Sequence, residues 1–160
     1  MALNIGDPAP DFKVNQTTGD KQGEFQLSAQ QGKNVVLVFY PGDFTPVCTS
    51  ELELIQSDLA KFKSANAEVV GFSTDTVFSH AAFQKSLGGL SFPLATDRWP
   101  YAEVAKAYGI FPPTKHTAPF WNDRAIFIVD KNGLIAWSKV YQIGHVPDVN
   151  EVLEALRKLP

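Results

Sequence analysis

Two short runs decide most of what this chain can become. "NVVLVFY" (Asn34 to Tyr40) and "AEVVGFST" (Ala67 to Thr74) are almost continuously apolar and rich in β-branched residues. A strand with one solvated face alternates polar and apolar residues. A run without that alternation belongs to a strand covered on both faces, as in a parallel α/β sheet. Between the two runs Leu52, Ile55, Leu59 and Phe62 recur at helical spacing, with Glu53, Asp58, Lys61 and Lys63 among them. Strand, helix, strand in that order makes a right-handed crossover between parallel neighbours.

The remaining segments extend this unit. "DFKV" and "EFQL", from Asp11 and Glu24, flank a Gly- and Lys-bearing turn and read as an N-terminal hairpin. A second helix is predicted over Val77 to Leu87, stopping at Gly88-Gly89, and a third over "AEVAKAYG", stopping at Gly109. "AIFIVD" and "LIAWSKV" are joined by Lys131-Asn132-Gly133, and Asn-Gly is a strong hairpin signal. A last helix starts near Pro147 and places Val149, Val152, Leu153 and Leu156 on one face. The order is hairpin, strand, helix, strand, helix, short strand, helix, hairpin, helix. That is an α/β, thioredoxin-like arrangement: a central mixed sheet flanked by helices, with an N-terminal β-hairpin added. With no repeat, linker or low-complexity tract, residues 1–160 read as a single domain.

A chain of 160 residues is long enough to bury roughly 70% of its extended surface. Its net charge of −3 gives no reason to expect nucleic acid as a partner. The start, "MALNIGDPAPDF", lacks the basic and apolar regions of a secretory signal. "VVLVF" is the longest apolar run and is far too short to span a bilayer, so a cytoplasmic protein is expected.

The chain has one cysteine, Cys48. An intramolecular disulfide and every paired-cysteine redox or zinc spacing are therefore excluded. Thr45 is a preferred N-cap type and Pro46 suits the first helical position, which puts Cys48 in the first turn of a helix, directly after a buried strand. Two readings stand at this point. A lone buried thiol can be a small inert hydrophobe, with Thr45 and Pro46 merely starting a helix. A thiol facing the free N–H groups and positive dipole end of a helix instead ionises below the ordinary cysteine range and becomes nucleophilic. Pro41 and Gly42 leave the strand in a tight turn that lets backbone amides approach a small ligand. Arg124 opens the buried-looking run "RAIFIVD", an awkward place for a charge unless it faces an anion.

Pro41, Thr45 and Cys48 match the P-x-x-x-T-x-x-C motif of the peroxiredoxins, thiol peroxidases of thioredoxin-type fold, and Arg124 ahead of an apolar run ending in Asp130-x-x-Gly133 matches a second landmark of that family. The similarity runs from "GDPAPDF" to "FPLATDRWPYAEVAKAYGI", and the stretch around Trp99-Pro100 with a single cysteine most resembles the one-cysteine alkyl hydroperoxide reductase E group. The resemblance implies a peroxidatic Cys48, a Thr45 that hydrogen-bonds the peroxide, a Pro41 that shields the sulfur, and an Arg124 that holds both thiolate and peroxide oxygen. Glu51 falls where many relatives carry an acid that orients the arginine. The position five residues after Cys48, where some relatives have a second cysteine, is Glu53, and no C-terminal arm supplies one. The resemblance therefore implies recycling by an external thiol, either a small thiol or a thioredoxin- or glutaredoxin-like protein, and a homodimer. Two other roles for the same cysteine are a thiol transferase and a redox-sensing binding module.

No cofactor or metal is expected. His80, His116 and His145 show no ligand spacing with one another or with Cys48, and His80 and Gln84 read as a solvated helix face. No phosphate-binding loop is present. Phe92, Trp99, Tyr101, Tyr108, Phe111, Phe120 and Trp121 read first as core, although Phe44, Trp99 and Phe111 fall in loops, where the family resemblance makes them candidates for a dimer contact or an apolar wall for organic peroxides.

Overall fold

A computed structural model describes residues 3–160, leaving Met1 and Ala2, the start of the segment read for a signal peptide, outside it. Seven strands form one mixed sheet in the order β2-β1-β5-β4-β3-β6-β7. The two apolar runs become β3 (Asn34–Phe39) and β4 (Ala67–Ser73), parallel neighbours in the middle of the sheet. The β5 strand (Leu94–Thr96) continues the parallel set beyond β4. On the other side of β3 lies an antiparallel hairpin, β6 (Arg124–Val129) and β7 (Ile135–Tyr141). Its turn closes through the Gly133 N–H donating to the Asp130 carbonyl at 2.9 Å, with Gly133 at φ +83°, a conformation that L side chains rarely adopt.

The period-2 geometry of β3 builds two cores at once. Val36, Val38 and Tyr40 face one layer, while Val35, Leu37 and Phe39 face the other. The first layer holds α1 (Pro46–Ser57), α2 (Leu59–Ser64), α3 (Val77–Ser86) and α5 (Val149–Arg157); the second holds α4 (Glu103–Ala107) and the first hairpin's Phe25. As expected, α5 buries Val149, Val152, Leu153 and Leu156. The same parity governs β6: Ile126 and Ile128 join the α1 layer. Arg124, two residues before Ile126, therefore points toward α1.

Three details depart from the sequence reading. The helix expected to run unbroken through Phe62 is two segments meeting at Asp58, whose φ −103° and ψ 11° bend the chain so that Leu59 and Phe62 still reach the core. The first hairpin extends further toward its turn than its apolar residues suggest, with β1 covering Lys13–Thr18 and β2 covering Lys21–Gln26. Its added residues are not apolar and all but Thr17 are exposed or partly so, so apolar alternation could not mark them. The third departure is α3, which is turned: His80 and Gln84 are fully buried while Phe78 is 75% exposed. Gln84 clips the hairpin to the sheet, donating to the Thr17 carbonyl at 3.1 Å and accepting from the Gly19 N–H at 2.7 Å.

Candidate active site

The C-terminal end of β3 delivers the chain into a five-residue turn, Pro41 to Thr45, and then into α1. Thr45 occupies the N-cap with extended φ −82° and ψ 147°, and Pro46 follows at the first helical position. The Thr45 hydroxyl does not cap the helix; it donates to the Gly42 carbonyl at 3.1 Å. The first bond of the helix runs from the Thr49 N–H to the Thr45 carbonyl at 2.9 Å. The N–H groups of Val47 and Cys48 precede it and have no intrahelical acceptor. They sit where the helix dipole is positive.

Cys48 is fully buried and free. Arg124, on the strand beside it and only 2% exposed, donates from Nη1 to Cys48 Sγ at 3.3 Å and to Glu51 Oε1 at 2.7 Å. Its Nη2 and Nε reach the Ile143 carbonyl at 2.9 and 3.3 Å. A guanidinium has five N–H donors on a planar fork, and here the fork joins a sulfur, a carboxylate and a main-chain carbonyl. A positive group donating into sulfur stabilises negative charge there. Burial pushes the Glu51 carboxyl up to about 7, against the opposing pull of Arg124. Neither Glu51 Oε2 nor the Tyr141 hydroxyl makes a protein hydrogen bond. Tyr141 lies opposite Arg124 in the β6–β7 register.

Above the guanidinium opens a cleft of about 230 Å³, lined by Pro41, Thr45, Pro46, Val47, Trp121, Arg124, Ile143 and Gly144. Apart from Thr45 and Arg124 its side chains are apolar. All five residues singled out from the sequence thus converge: Pro41, Thr45 and Arg124 on the cleft, Cys48 and Glu51 bonded to Arg124 beneath it. The aromatic residues divide. Phe92 and Tyr108 are core, but Trp99, Phe120 and Trp121 are 91%, 72% and 44% exposed, which corrects their assignment to the interior. They lie on loops, Trp99 after β5 and Phe120 and Trp121 before β6, where no strand or helix period could tell a buried ring from an exposed one.

Sequence reasoning missed the groups behind the turn. Asp43, Asp75 and His80 bring a ligand atom each within 4.8 Å of one another. Asn122, two residues before Arg124, donates to the Tyr40 carbonyl at 3.3 Å and ties the end of β3 to the start of β6. The helical period did not signal His80, because Val77, Phe78, Ala81, Ala82 and Phe83 surround α3 rather than forming one stripe.

A thiol in the first turn of a helix, bonded by a buried guanidinium and lying beneath a small cleft at the strand ends of a thioredoxin-like sheet, defines a thiol-dependent peroxidase. Residues 5–138 match the AhpC/TSA family, and the chain belongs to it; it is a peroxiredoxin. Alkyl hydroperoxide reductase E of Mycobacterium tuberculosis is 33% identical over 158 residues, which span 98% of both chains. Peroxiredoxin tpx1 of Schizosaccharomyces pombe is 36% identical over 165 residues, 99% of this chain and 81% of the other. The crystal structure of reduced 2-Cys peroxiredoxin from Plasmodium vivax superposes with a TM-score of 0.86 at 30% identity, covering 96% of this chain and 80% of that one.

Proposed function

We propose that Cys48 is the peroxidatic nucleophile of a one-cysteine cycle, and that the observation carrying this is the Arg124 Nη1 bond to its sulfur at 3.3 Å. The thiolate attacks one peroxide oxygen and the O–O bond breaks. The sulfur becomes a sulfenic acid, and the departing oxygen leaves as water or alcohol after taking a proton. Arg124 spans the sulfur and the incoming oxygen and stabilises the charge that develops as the bond breaks. Thr45, with its proton given to Gly42, keeps its oxygen free to accept from the peroxide O–H. The N–H groups of Val47 and Cys48 add fixed dipoles, Pro41 keeps bulk water from the sulfur, and Glu51 sets the plane of Arg124.

The apolar cleft suits organic hydroperoxides as well as hydrogen peroxide. The 160 residues contain no second cysteine, so an external thiol attacks the sulfenic acid, releases water and leaves a mixed disulfide. A second thiol then restores Cys48. The donor is a small thiol or a thioredoxin- or glutaredoxin-like protein. Residues 1–160 act as one domain, since a single sheet joins both hairpins. The exposed rings of Phe44, Phe78, Trp99 and Phe120 favour a homodimer through this end of the molecule. No helix among the described residues is long and apolar enough to cross a membrane, and a cytoplasmic setting fits a cycle that needs reducing thiols.

The test is intact mass after one equivalent of peroxide without added thiol. The expected product is Cys48 heavier by one oxygen, which a small thiol converts to a mixed disulfide and then to free enzyme. A thiol transferase would be oxidised faster by disulfides than by peroxide. A redox sensor would fail to turn over in excess thiol. A rapid covalent dimer would overturn the external-thiol cycle.

A further inference from the structure

Behind the turn that carries Pro41 and Thr45 lies a buried histidine that the peroxidase chemistry does not touch. His80 on α3 is 0% exposed, and the Asp43 side chain beside it is 1% exposed. Both ring nitrogens face oxygen. Nε2 lies 3.0 Å from the Ala95 carbonyl on β5, and a carbonyl can only accept, so Nε2 carries a proton. Nδ1 lies 2.9 and 3.1 Å from the two oxygens of Asp43. A bare Nδ1 lone pair against a carboxylate would repel it, so this contact also requires a proton. This geometry fits an imidazolium paired with a carboxylate away from water.

Every neighbour supports that state. The Tyr40 hydroxyl, at the end of β3, donates to Asp43 Oδ1 at 2.7 Å and lies 3.4 Å from Nδ1. Burial, then the Asp43 charge, raises the Tyr40 hydroxyl well above its ordinary value, so it stays a donor. From α3, the Ser79 hydroxyl donates to Asp43 Oδ2 at 2.8 Å. From the loop after β4, Asp75 Oδ2 accepts the Asp43 N–H at 2.8 Å and the Ser73 hydroxyl at 2.6 Å. Two carboxylates thus face one imidazole, and a positive ring offsets their mutual repulsion.

What this pair holds is the turn. Phe44 sits between Asp43 and Thr45 at φ +65°, a left-handed backbone that a bulky residue adopts only when its surroundings enforce it. On one side Asp43 is bonded through its carboxylate to His80, Tyr40 and Ser79 and through its N–H to Asp75. On the other the Phe44 ring rests on Phe83 of α3 at 5.1 Å. Thr45 follows at once and sets both the cleft wall and the start of the helix bearing Cys48.

We propose that His80 is a positioning residue whose imidazolium, acting through Asp43, locks the strained Phe44 turn and so sets Thr45 and Cys48 for attack on peroxide. Loss of the ring proton removes the attraction that holds Asp43, and the turn relaxes. The peroxide rate constant then has two limbs, one rising with pH as the thiol ionises and one falling as His80 is lost as a cation. The proposal rests on Cys48 being the nucleophile.

The experiment combines NMR with kinetics. In wild-type protein labelled with 15N-histidine, His80 (assigned by its loss in His80→Gln) is expected to show two protonated ring nitrogens at neutral pH. An unprotonated Nδ1 there overturns the proposal whatever the kinetics show. Oxidation of the thiol is followed by stopped flow across pH. His80→Gln, checked for fold by circular dichroism, is expected to lose the falling limb and about 10–100-fold in rate constant, the scale of a misplaced reacting group. Asp43→Asn is expected to lose the limb with a smaller drop, because its amide N–H can donate to a neutral Nδ1 and keep the turn closed. Glu51→Gln must retain the limb, which separates His80 from Glu51, the buried acid raised to about 7. An unchanged profile in folded His80→Gln refutes the proposal. Should His80→Gln not fold, the Asp43→Asn profile decides in the same way. A wild type that fails to react with peroxide at all refutes the functional reading and leaves the NMR result standing by itself.

Discussion

Glu51→Gln isolates what burying an acid beside Arg124 costs the fold. The carboxyl is fully enclosed, its Oε1 is 2.7 Å from Arg124 Nη1, and its Oε2 has no protein partner. Burial outweighs the arginine and raises the carboxyl from 4.5 to about 7. The folded state thus holds this proton more tightly than the unfolded chain does. The associated stability is fully present below the unfolded value and is lost as pH rises through the folded one. Between 4.5 and about 7, at ~1.4 kcal/mol per pH unit, the loss is roughly 3 kcal/mol. Glutamine fills the same space, keeps an oxygen for Arg124 and cannot ionise. Subtracting the variant's unfolding free energy from that of wild type at each pH cancels every other titrating group. The difference is expected to fall by about 3 kcal/mol from pH ~4.5 to ~7 and then level off. Urea unfolding with a common m-value measures it. Parallel curves would refute the reasoning and show that Glu51 binds its proton equally in the folded and unfolded states. A difference that grew with pH would show that Arg124 dominates over burial.

Arg124→Lys keeps the charge but cannot bridge sulfur, Glu51 and the Ile143 carbonyl together. The peroxide rate constant is expected to drop by about 10²–10³ with the fold retained, and a near-wild-type rate in stopped flow would make Arg124 a structural charge only. Thr45→Ser should keep most activity because the hydroxyl remains, whereas Thr45→Val is expected to lose about tenfold or more; equal rates for the two would remove the hydroxyl from the reaction. Gly71→Ala places a methyl 2.6 Å from Leu94 Cδ2 in the middle of the sheet, and urea unfolding is expected to show a loss of about 1–3 kcal/mol.

What the sequence disclosed follows from the range over which each feature is determined. The runs at Val35–Phe39 and Ala125–Val129 are apolar at every position because both faces are covered, and that needs no knowledge of partners. Cys48, Thr45 and Pro41 lie within one turn and one helix start, so local capping rules place them. Arg124 was legible as an anomaly, a charge opening an apolar strand. His80 was not. Its partners Asp43 and Ala95 lie 37 and 15 residues away in sequence, so nothing near it declares them. Helical spacing around α3 also allows either face to be buried. The same holds for Gln84, whose acceptor on Thr17 is 67 residues distant.

Four residues that break local rules share a location, and that location is informative. Arg124 and Glu51 are buried charges, His80 is a buried base between acceptors, and Phe44 has a backbone that bulky residues avoid. Each is unfavourable alone and is relieved by its neighbours, Arg124 also by the Ile143 carbonyl and His80 also by the Ala95 carbonyl. Glu51 and Cys48 share one nitrogen of Arg124; His80 holds Asp43, and Asp43 precedes Phe44. A fold seeking only stability would replace such groups with apolar ones at little cost. Their concentration where β3 meets α1 gathers charge and strain against packing preferences beside the sulfur that Arg124 bonds. Removing a member of either cluster should therefore change reaction more than its distance from Cys48 suggests. An equally conservative change in the α4 layer, across the sheet, should alter stability and leave the rate alone.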